Sequence, residues 1–261
     1  MSNEINMYLL QILQKYQARN IASNVETELK NYIYNWCQKC DPEIFFSGSR
    51  SKQTAISLAS DYDYFVSLSS ECNVNQKGIE AISDALHEHL KKKYPNNIRR
   101  QNVSTRIEIS GLNVDITAGT KITGYQNYHW LYRSKDGTKK QTNVQMHIND
   151  ISKSGRTNEI KLLKIWRELN KLDFPSIYLE YLVINNILLN RSTDVANLGD
   201  NVWHVLNELA KDYGNPLSSR IVDPANSNNI LSDLLNQTEK NKIISAAKIA
   251  SRQSHWNQIL W

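Results

Sequence analysis

The sequence predicts an α+β fold made of a strand-rich lobe and a helical lobe. Helical periodicity covers about residues 7–40, and strand-like alternation then carries the chain over about residues 43–147. Beyond Ile151 the apolar spacing returns to a period of about 3.6 residues. We therefore assign residues 1–150 to a first lobe that starts with a long N-terminal helix, and residues 151–261 to a second, helical lobe.

A Gly-Ser turn lies between the first two predicted strands. Glu43–Phe46 is a short apolar run, and Tyr64–Leu68 is a β-branched and aromatic one. Between them, Gly48 lets the backbone approach a ligand closely, and Ser49 offers N–H and hydroxyl donors at a predicted helix start. The turn is therefore suited to a phosphate group.

Two carboxylates follow this turn, at the start of the second strand. Asp61 and Asp63 are separated by one residue, and side chains at i and i+2 of a strand point to the same face. Adjacent carboxylates repel each other unless a cation lies between them. Together, the Gly-Ser turn and the Asp-x-Asp pair predict a metal-dependent nucleotidyl-transfer site, whereas either motif alone would be weak.

A two-metal site needs a third carboxylate, and a predicted hairpin contains two candidates. Glu108 and Asp115 lie in consecutive alternating segments joined by a turn at Gly111-Leu112 or one residue later. Apolar neighbours on both sides place Glu108 on the polar face of its strand, where a solvated charge is the usual outcome. Asp115 lies in a strand of the same small sheet, and the pattern alone leaves both residues open.

With these residues the chain resembles the DNA polymerase β-like nucleotidyltransferase superfamily. The superfamily motif is a Gly-Ser, an Asp-x-Asp and a later single Asp on a strand. The matches, in order, are Gly48-Ser49, Asp61-Tyr62-Asp63 and Val114-Asp115-Ile116. Within the superfamily, the chain is similar to the bacterial cGAS/DncV-like nucleotidyltransferases (CD-NTases). That likeness extends over about residues 43–230 and includes Thr142–His147, Glu159–Trp166, Pro175–Glu180 and Ile221–Ile230.

The resemblance implies a polymerase β-like lobe followed by a C-terminal helical lobe, with the active site in the cleft between them. It selects Asp115 over Glu108, so Asp61, Asp63 and Asp115 are the predicted catalytic and metal-binding residues for two Mg²⁺ or Mn²⁺ ions. A ribose hydroxyl would attack the α-phosphorus of an NTP and release pyrophosphate. Repetition on a second nucleotide would give a cyclic di- or oligonucleotide, which in bacterial relatives is an antiphage second messenger.

The predicted nucleotide-binding residues are Gly48, Ser49, Lys161, Lys164, Ser176 and Tyr178. Lys161 and Lys164 lie at i and i+3 of one helix, and the resemblance favours Lys164 as the phosphate contact. A solvent-facing lysine is the alternative for either residue. Ser176 could instead cap its own helix, and Tyr178 could fill the core rather than stack on a base. Two positions depart from the family pattern. Gln53 stands where many relatives have a second glycine of the Gly-Ser loop, and Thr142-Asn143-Val144 lacks the proline that often follows this Thr-Asn pair.

The basic residues are scattered along the chain, which carries a net charge of +5. An RNA 3′-end transferase of the CCA-adding or poly(A) type would use the same carboxylates but would need a long basic extension to grip a folded RNA. RNA binding is therefore not indicated. A small-molecule nucleotidyltransferase is a further alternative, because sequence does not reveal an acceptor pocket. The resemblance implies NTP substrates, an activating ligand or regulatory protein, and a downstream effector that responds to the product.

The composition is typical of a globular protein, with 261 residues, 40% of them hydrophobic and 22% charged. No apolar run approaches the roughly 20 residues that span a bilayer, and the N-terminus lacks the profile of a signal peptide. We therefore expect no membrane association and a cytoplasmic location. Cys37, Cys40 and Cys72 are too few for a disulfide framework and predict thiols.

Overall fold

The computed structural model describes residues 2–59, 61–72 and 78–261, and the chain divides into two compact units. We call them the helical unit and the sheet unit. The helical unit consists of Met1–Ala18, Lys52–Ser60 and Asn149–Trp261. The sheet unit consists of Arg19–Ser51 and Asp61–Ile148. Two segments that the sequence ranges assign to the first lobe, Met1–Ala18 and Lys52–Ser60, thus pack with the C-terminal residues.

The α-helices fall where apolar residues recur with helical spacing. In chain order they are α1 (Ser2–Lys15), α2 (Ser23–Cys37), α3 (Gly48–Ser51), α4 (Gly78–Lys93), α5 (Val144–Ser152), α6 (Thr157–Leu169), α7 (Ser176–Leu182), α8 (Leu198–Leu209) and α9 (Gln237–Ala250). The long N-terminal helix, for which the sequence left a bend open near residues 20–24, is two helices, α1 and α2, that belong to different units.

The strands of the sheet unit form one mixed sheet, which among the described residues has seven strands. They are β1 (Glu43–Phe46), β2 (Tyr62–Leu68), β3 (Ile98–Arg100), β4 (Thr105–Ile109), β5 (Leu112–Lys121), β6 (His129–Arg133) and β7 (Thr138–Thr142). The order is β1-β2-β5-β4-β3, with β6 paired to β5 and β7 paired to β6. The β2–β5 pair is parallel, so the predicted acidic strands are direct neighbours.

The turn between β4 and β5 lies earlier than the sequence predicts. Ser110 and Gly111 have φ values of 52° and 74°, so they form the turn in place of Gly111-Leu112. Positive φ at both central residues is typical of the two-residue turns that match the twist of paired strands. This turn sets the register in which β4 faces β5.

The core of the sheet unit lies on one face of the sheet. Ile82, Leu86 and Leu90 recur every four residues along α4, so they share one face of that helix. All three are buried in a cluster with Val114 and Ile116 of β5. Because alternate residues of a strand point to opposite faces, the opposite face of β5 carries Asn113 and Asp115.

The helical unit has its own apolar core, which extends from α1 to the C-terminus. Leu9 and Ile12 of α1 are buried in the same cluster as Trp166 of α6. This apolar stripe explains why the N-terminal helix packs with the C-terminal residues.

The segment near Asp223 is a small hairpin. Its strands are β8 (Val222–Asp223) and β9 (Asn226–Ile230). The buried Asp223 carboxylate accepts hydrogen bonds from the Ala225 backbone at 3.0 Å and from the Asn229 side chain at 2.8 Å. The carboxylate therefore holds the turn together.

The prediction of thiols is confirmed for Cys37 and wrong for Cys40 and Cys72. Cys40 and Cys72 form a disulfide, with their α-carbons 4.9 Å apart. Cys37 keeps a buried thiol, and burial raises its pKa to about 11. None of the described helices has the length and apolar character needed to cross a membrane.

Candidate active site

The sheet brings the three predicted carboxylates together near the N-terminal ends of the parallel strands β2 and β5. Asp63 of β2 and Asp115 of β5 are direct partners in the parallel register, so their side chains share one face of the sheet. Asp61 immediately precedes β2. Asp63 and Asp115, which are 52 positions apart in the chain, are thus adjacent.

A residue that sequence analysis missed lies between two of these carboxylates. Arg106 of β4 is the cross-strand partner of Asp115. Its Nε and Nη2 donate to the two Asp115 oxygens at 2.8 and 2.6 Å, and Nη2 also donates to Asp61 Oδ2 at 2.5 Å. Bidentate guanidinium–carboxylate pairing is among the stronger polar contacts in proteins, and the hydrogen bonds to Asp115 are the main cause of the raised pKa of Arg106.

A second missed residue, Asn113, supports the same cluster. Its Nδ2 donates to Asp61 Oδ1 at 3.2 Å. Asn113 pairs in register with Glu108, whose side chain is exposed. The signal for Arg106 and Asn113 was present in the sequence, since both share the polar face of the predicted hairpin with Glu108 and Asp115. Only the register shows which of them meet.

Gly48 is required by the position of the Asp63 side chain. Its φ is +62°, and a β-carbon added there would lie 1.9 Å from Asp63 Oδ2. The adjacent Ser47 N–H donates to the Asp63 backbone oxygen at 2.8 Å. The Gly-Ser turn therefore packs directly on a predicted metal ligand, which explains why this spacing of turn and carboxylate occurs in the sequence.

We expect Gly48→Ala to destabilise the protein by about 1–3 kcal/mol, because it combines backbone strain at positive φ with displacement of the Asp63 carboxylate. Gly137→Ala is a matched control, since Gly137 also has positive φ (66°) but a β-carbon there would meet no atom within 4 Å. The two changes are compared by urea denaturation. Equal losses would show that Asp63 does not constrain Gly48.

The carboxylates have the donor chemistry of a magnesium or manganese site, because both ions prefer hard oxygen ligands. Among the described residues, however, no group of three His, Cys, Asp or Glu side chains is arranged to hold a metal ion. Arg106 contacts two of the predicted ligands. Its guanidinium engages both Asp115 oxygens and one Asp61 oxygen, so these atoms already face a cation.

Lys164, the predicted phosphate contact, belongs instead to a buried ion-pair cluster of the helical unit. Its Nζ lies 2.7 Å from Glu180 Oε1, and Lys52 Nζ lies 2.9 Å from Glu180 Oε2. The Thr54 hydroxyl donates to Glu180 at 3.1 Å and accepts from Lys164 at 2.8 Å. Glu180 is 0% exposed and Lys164 is 2% exposed. Lys164 is therefore committed to a carboxylate in this structure.

The electrostatics of this cluster favour the charged form of Glu180. Burial by itself would raise the pKa of Glu180, but the ammonium groups of Lys52 and Lys164 lower it to about 2. Burial lowers the pKa of Lys164, and Glu180 opposes that change. We take both partners as charged, because two ammonium groups surround one carboxylate that accepts hydrogen bonds on both oxygens.

Lys161 is the available lysine of the pair. It is half-buried on α6, and within the described part of the chain it makes no hydrogen bond or ion pair. Burial without a neighbouring carboxylate lowers its pKa. A desolvated ammonium that lacks a counter-ion is stabilised by an anion, so the geometry favours Lys161 over Lys164 as an anion contact.

Ser176 and Tyr178 each had a structural alternative to nucleotide binding in the sequence. The Ser176 hydroxyl accepts from Arg167 Nη1 at 2.9 Å, and Pro175 is the N-cap of α7, so Ser176 does not cap its helix. Tyr178 is fully buried, its hydroxyl donates to the Leu217 oxygen at 3.3 Å, and burial raises its pKa to about 12. Tyr178 thus packs in the core and does not present its ring to a ligand.

The loop position that departs from the family pattern has the backbone of a glycine. Gln53 has a φ of 60°, which is the left-handed region that glycine adopts without steric cost. The backbone at Gln53 therefore has a conformation that a glycine would adopt at this position.

This fold matches solved structures over nearly the whole chain. Escherichia coli MS115-1 CdnC in its HORMA-deltaN complex has a TM-score of 0.71 at 21% identity, over 94% of this chain and 89% of that chain. Bradyrhizobium diazoefficiens CdnG in complex with GTP has a TM-score of 0.72 at 13% identity, over 98% of this chain and 95% of that chain. Elizabethkingia meningoseptica CdnE cyclic dinucleotide synthase with GTP and Apcpp has a TM-score of 0.61 at 13% identity, over 98% and 99%.

The fold is thus that of a polymerase β-like nucleotidyltransferase. More narrowly, it is the cGAS/DncV-like fold of the CD-NTases, which confirms the fold class and the resemblance found in the sequence. No family model matches the sequence, and no curated protein sequence matches it.

Proposed function

We propose that the protein is a metal-dependent nucleotidyltransferase that joins NTPs into a cyclic di- or oligonucleotide. The observation that carries the proposal is the register of Asp63 and Asp115 on adjacent parallel strands, with Asp61 directly before the first of them and the Gly48 turn packed on Asp63. The CD-NTase fold supports it, because the neighbours include a cyclic dinucleotide synthase bound to GTP.

In this proposal, Asp61, Asp63 and Asp115 hold two Mg²⁺ or Mn²⁺ ions, which would supply charge stabilisation for phosphoryl transfer. Gly48 and Ser49 would offer backbone N–H groups to the donor triphosphate, and the sequence resemblance adds a lysine of α6 as a phosphate contact, for which we choose Lys161. Asp115 accepts the proton of the attacking ribose hydroxyl, for which its carboxylate must be released from Arg106. Transfer forms the new phosphodiester bond at the α-phosphorus and releases pyrophosphate.

The partners follow from the same proposal. NTPs are the substrates, and a regulatory protein is included because CdnC forms a complex with HORMA-deltaN. The antiphage role and the downstream effector depend on the sequence resemblance alone. A cytoplasmic location stays a prediction from the sequence.

Product analysis tests this function. The protein is incubated with each labelled NTP, alone and in pairs, with Mg²⁺ or Mn²⁺, and the products are treated with phosphatase and identified by mass spectrometry. We expect phosphatase-resistant cyclic species without an RNA primer and with mild dependence on salt. An RNA 3′-end transferase would instead extend an added RNA, and its activity would fall steeply with salt because several phosphate contacts are lost together. Incorporation solely at RNA ends would overturn the proposal.

Lys161→Ala should raise the KM for NTP by roughly tenfold or more, as expected for losing one charge-assisted contact of about 1.5–3 kcal/mol. Lys153→Ala is the control, since Lys153 is an exposed lysine at the end of α5. The choice of Lys161 as the phosphate contact reverses the preference for Lys164 drawn from the sequence. A KM that is unchanged in Lys161→Ala, in a normally folded protein, would remove Lys161 from the site.

A further inference from the structure

Arg106 occupies the place where a cation would join Asp61 and Asp115. Its side chain is 18% exposed and makes three hydrogen bonds to the two carboxylates, with donor–acceptor distances of 2.5 to 2.8 Å. The Asp115 side chain is 14% exposed, so this contact is partly shielded from solvent. Guanidinium and divalent cation would use the same carboxylate oxygens, and those oxygens cannot serve both fully at once.

We propose that Arg106 is a displaceable counter-ion, which holds Asp61 and Asp115 together in the metal-free protein and leaves them when a divalent cation binds. Arg106 is on this account a positioning residue that acts through the two aspartates. The inference rests on the proposed function, because it takes Asp61, Asp63 and Asp115 as metal ligands.

The structure provides a place for the displaced guanidinium. A polar cavity of about 340 Å³ adjoins Arg106 and is lined mainly by Asn96, Asn97, Arg99, Glu108 and Asn113. Glu108 lies two residues from Arg106 on β4 and therefore on the same face of the sheet. In the described part of the chain, the Glu108 side chain makes no ion pair. A change of side-chain rotamer would move Arg106 from the aspartates toward this carboxylate without breaking the strand pairing.

Displacement by a cation has a thermodynamic signature that a purely structural role lacks. In the metal-free protein, loss of Arg106 leaves neighbouring carboxylates that repel each other, so stability should fall. In the variant, no guanidinium competes with the cation for the carboxylate oxygens, so the affinity for the metal ion should rise. A residue that merely shapes the site would lower both stability and metal affinity when replaced.

The test is direct Mn²⁺ binding to the full chain, measured by electron paramagnetic resonance, with thermal denaturation in the absence of metal. We expect Arg106→Gln to bind Mn²⁺ about three- to tenfold more tightly than the wild type while melting at a lower temperature. Arg99→Gln is the matched control, because Arg99 is the cross-strand neighbour of Arg106 on the same face and contacts no carboxylate within the described residues. Arg99→Gln removes one nearby positive charge but leaves Arg106 on the aspartates, so both Mn²⁺ affinity and melting temperature should change far less than in Arg106→Gln.

Unchanged or weaker Mn²⁺ binding in Arg106→Gln would overturn the inference. Should that variant fail to fold, Arg106→Lys replaces it, since lysine keeps the charge but loses the bidentate contact, and we expect about a twofold gain in affinity. No gain in that variant also overturns the inference. Asp63→Asn separates the two proposals: retention of tight Mn²⁺ binding there contradicts the metal-site assignment itself, whatever Arg106→Gln does.

Discussion

Asp63→Asn is expected to reduce nucleotide transfer by about a thousandfold or more at saturating Mg²⁺, while the protein stays folded. The change removes one ligand charge from the site where Asp63 meets Asp115 in register, but it keeps the shape of the side chain that packs on Gly48. Initial rates with labelled NTPs, together with circular dichroism of both proteins, measure the effect.

Glu43→Gln serves as the control for this substitution, because Glu43 lies in the same sheet, its side chain is exposed, and its ion pair is with Lys121 rather than with the acidic site. It should retain near wild-type activity. A folded Asp63→Asn protein with near wild-type turnover would remove Asp63 from the catalytic site.

Glu180→Gln is expected to have the largest effect on stability, a loss of about 3–5 kcal/mol in the free energy of unfolding. The substitution leaves the ammonium groups of Lys164 and Lys52 beside a neutral amide at a site where Glu180 is fully buried. Urea denaturation measures the loss. Glu208→Gln breaks a partly exposed ion pair with Lys211 and should cost less than about 1 kcal/mol. Similar losses in the two variants would contradict a special role for the buried cluster.

The same cluster predicts a dependence of stability on pH. The pKa of Glu180 is lowered to about 2 in the folded protein, against about 4.3 in an unfolded chain. The stability that this group contributes is therefore present above the unfolded pKa and is lost as pH falls from about 5 toward 2. The wild type should lose more stability over this interval than Glu180→Gln, and parallel pH profiles would contradict the assignment.

Alternation and spacing were sufficient to identify the acidic face of the site. Asp61 and Asp63 are two residues apart at the start of an apolar strand, and Asp115 lies in a second alternating segment, so local side-chain periodicity predicts where each points. The structure confirms these strands and brings Asp63 next to Asp115. The catalytic role of the three residues stays a prediction.

The choice between neighbouring lysines required the tertiary structure. Lys161 and Lys164 are equivalent candidates by helical spacing, but Lys164 points to Glu180 and Thr54, which are distant in the sequence. The Cys40–Cys72 disulfide was missed for the same reason, because the two residues are 32 positions apart and no local pattern links them.

The sequence by itself determined the acidic strands and most of the helices, because periodicity and turn chemistry are local properties of the chain, and its resemblance to the CD-NTases selected the three aspartates. Only the tertiary structure decided that α1 packs with the C-terminal helices, that Lys164 is committed to Glu180, and that Arg106 lies between Asp61 and Asp115. The physical reason is that these outcomes depend on strand register and on contacts between distant segments, which are set by packing across the whole fold rather than by any residue's neighbours in sequence.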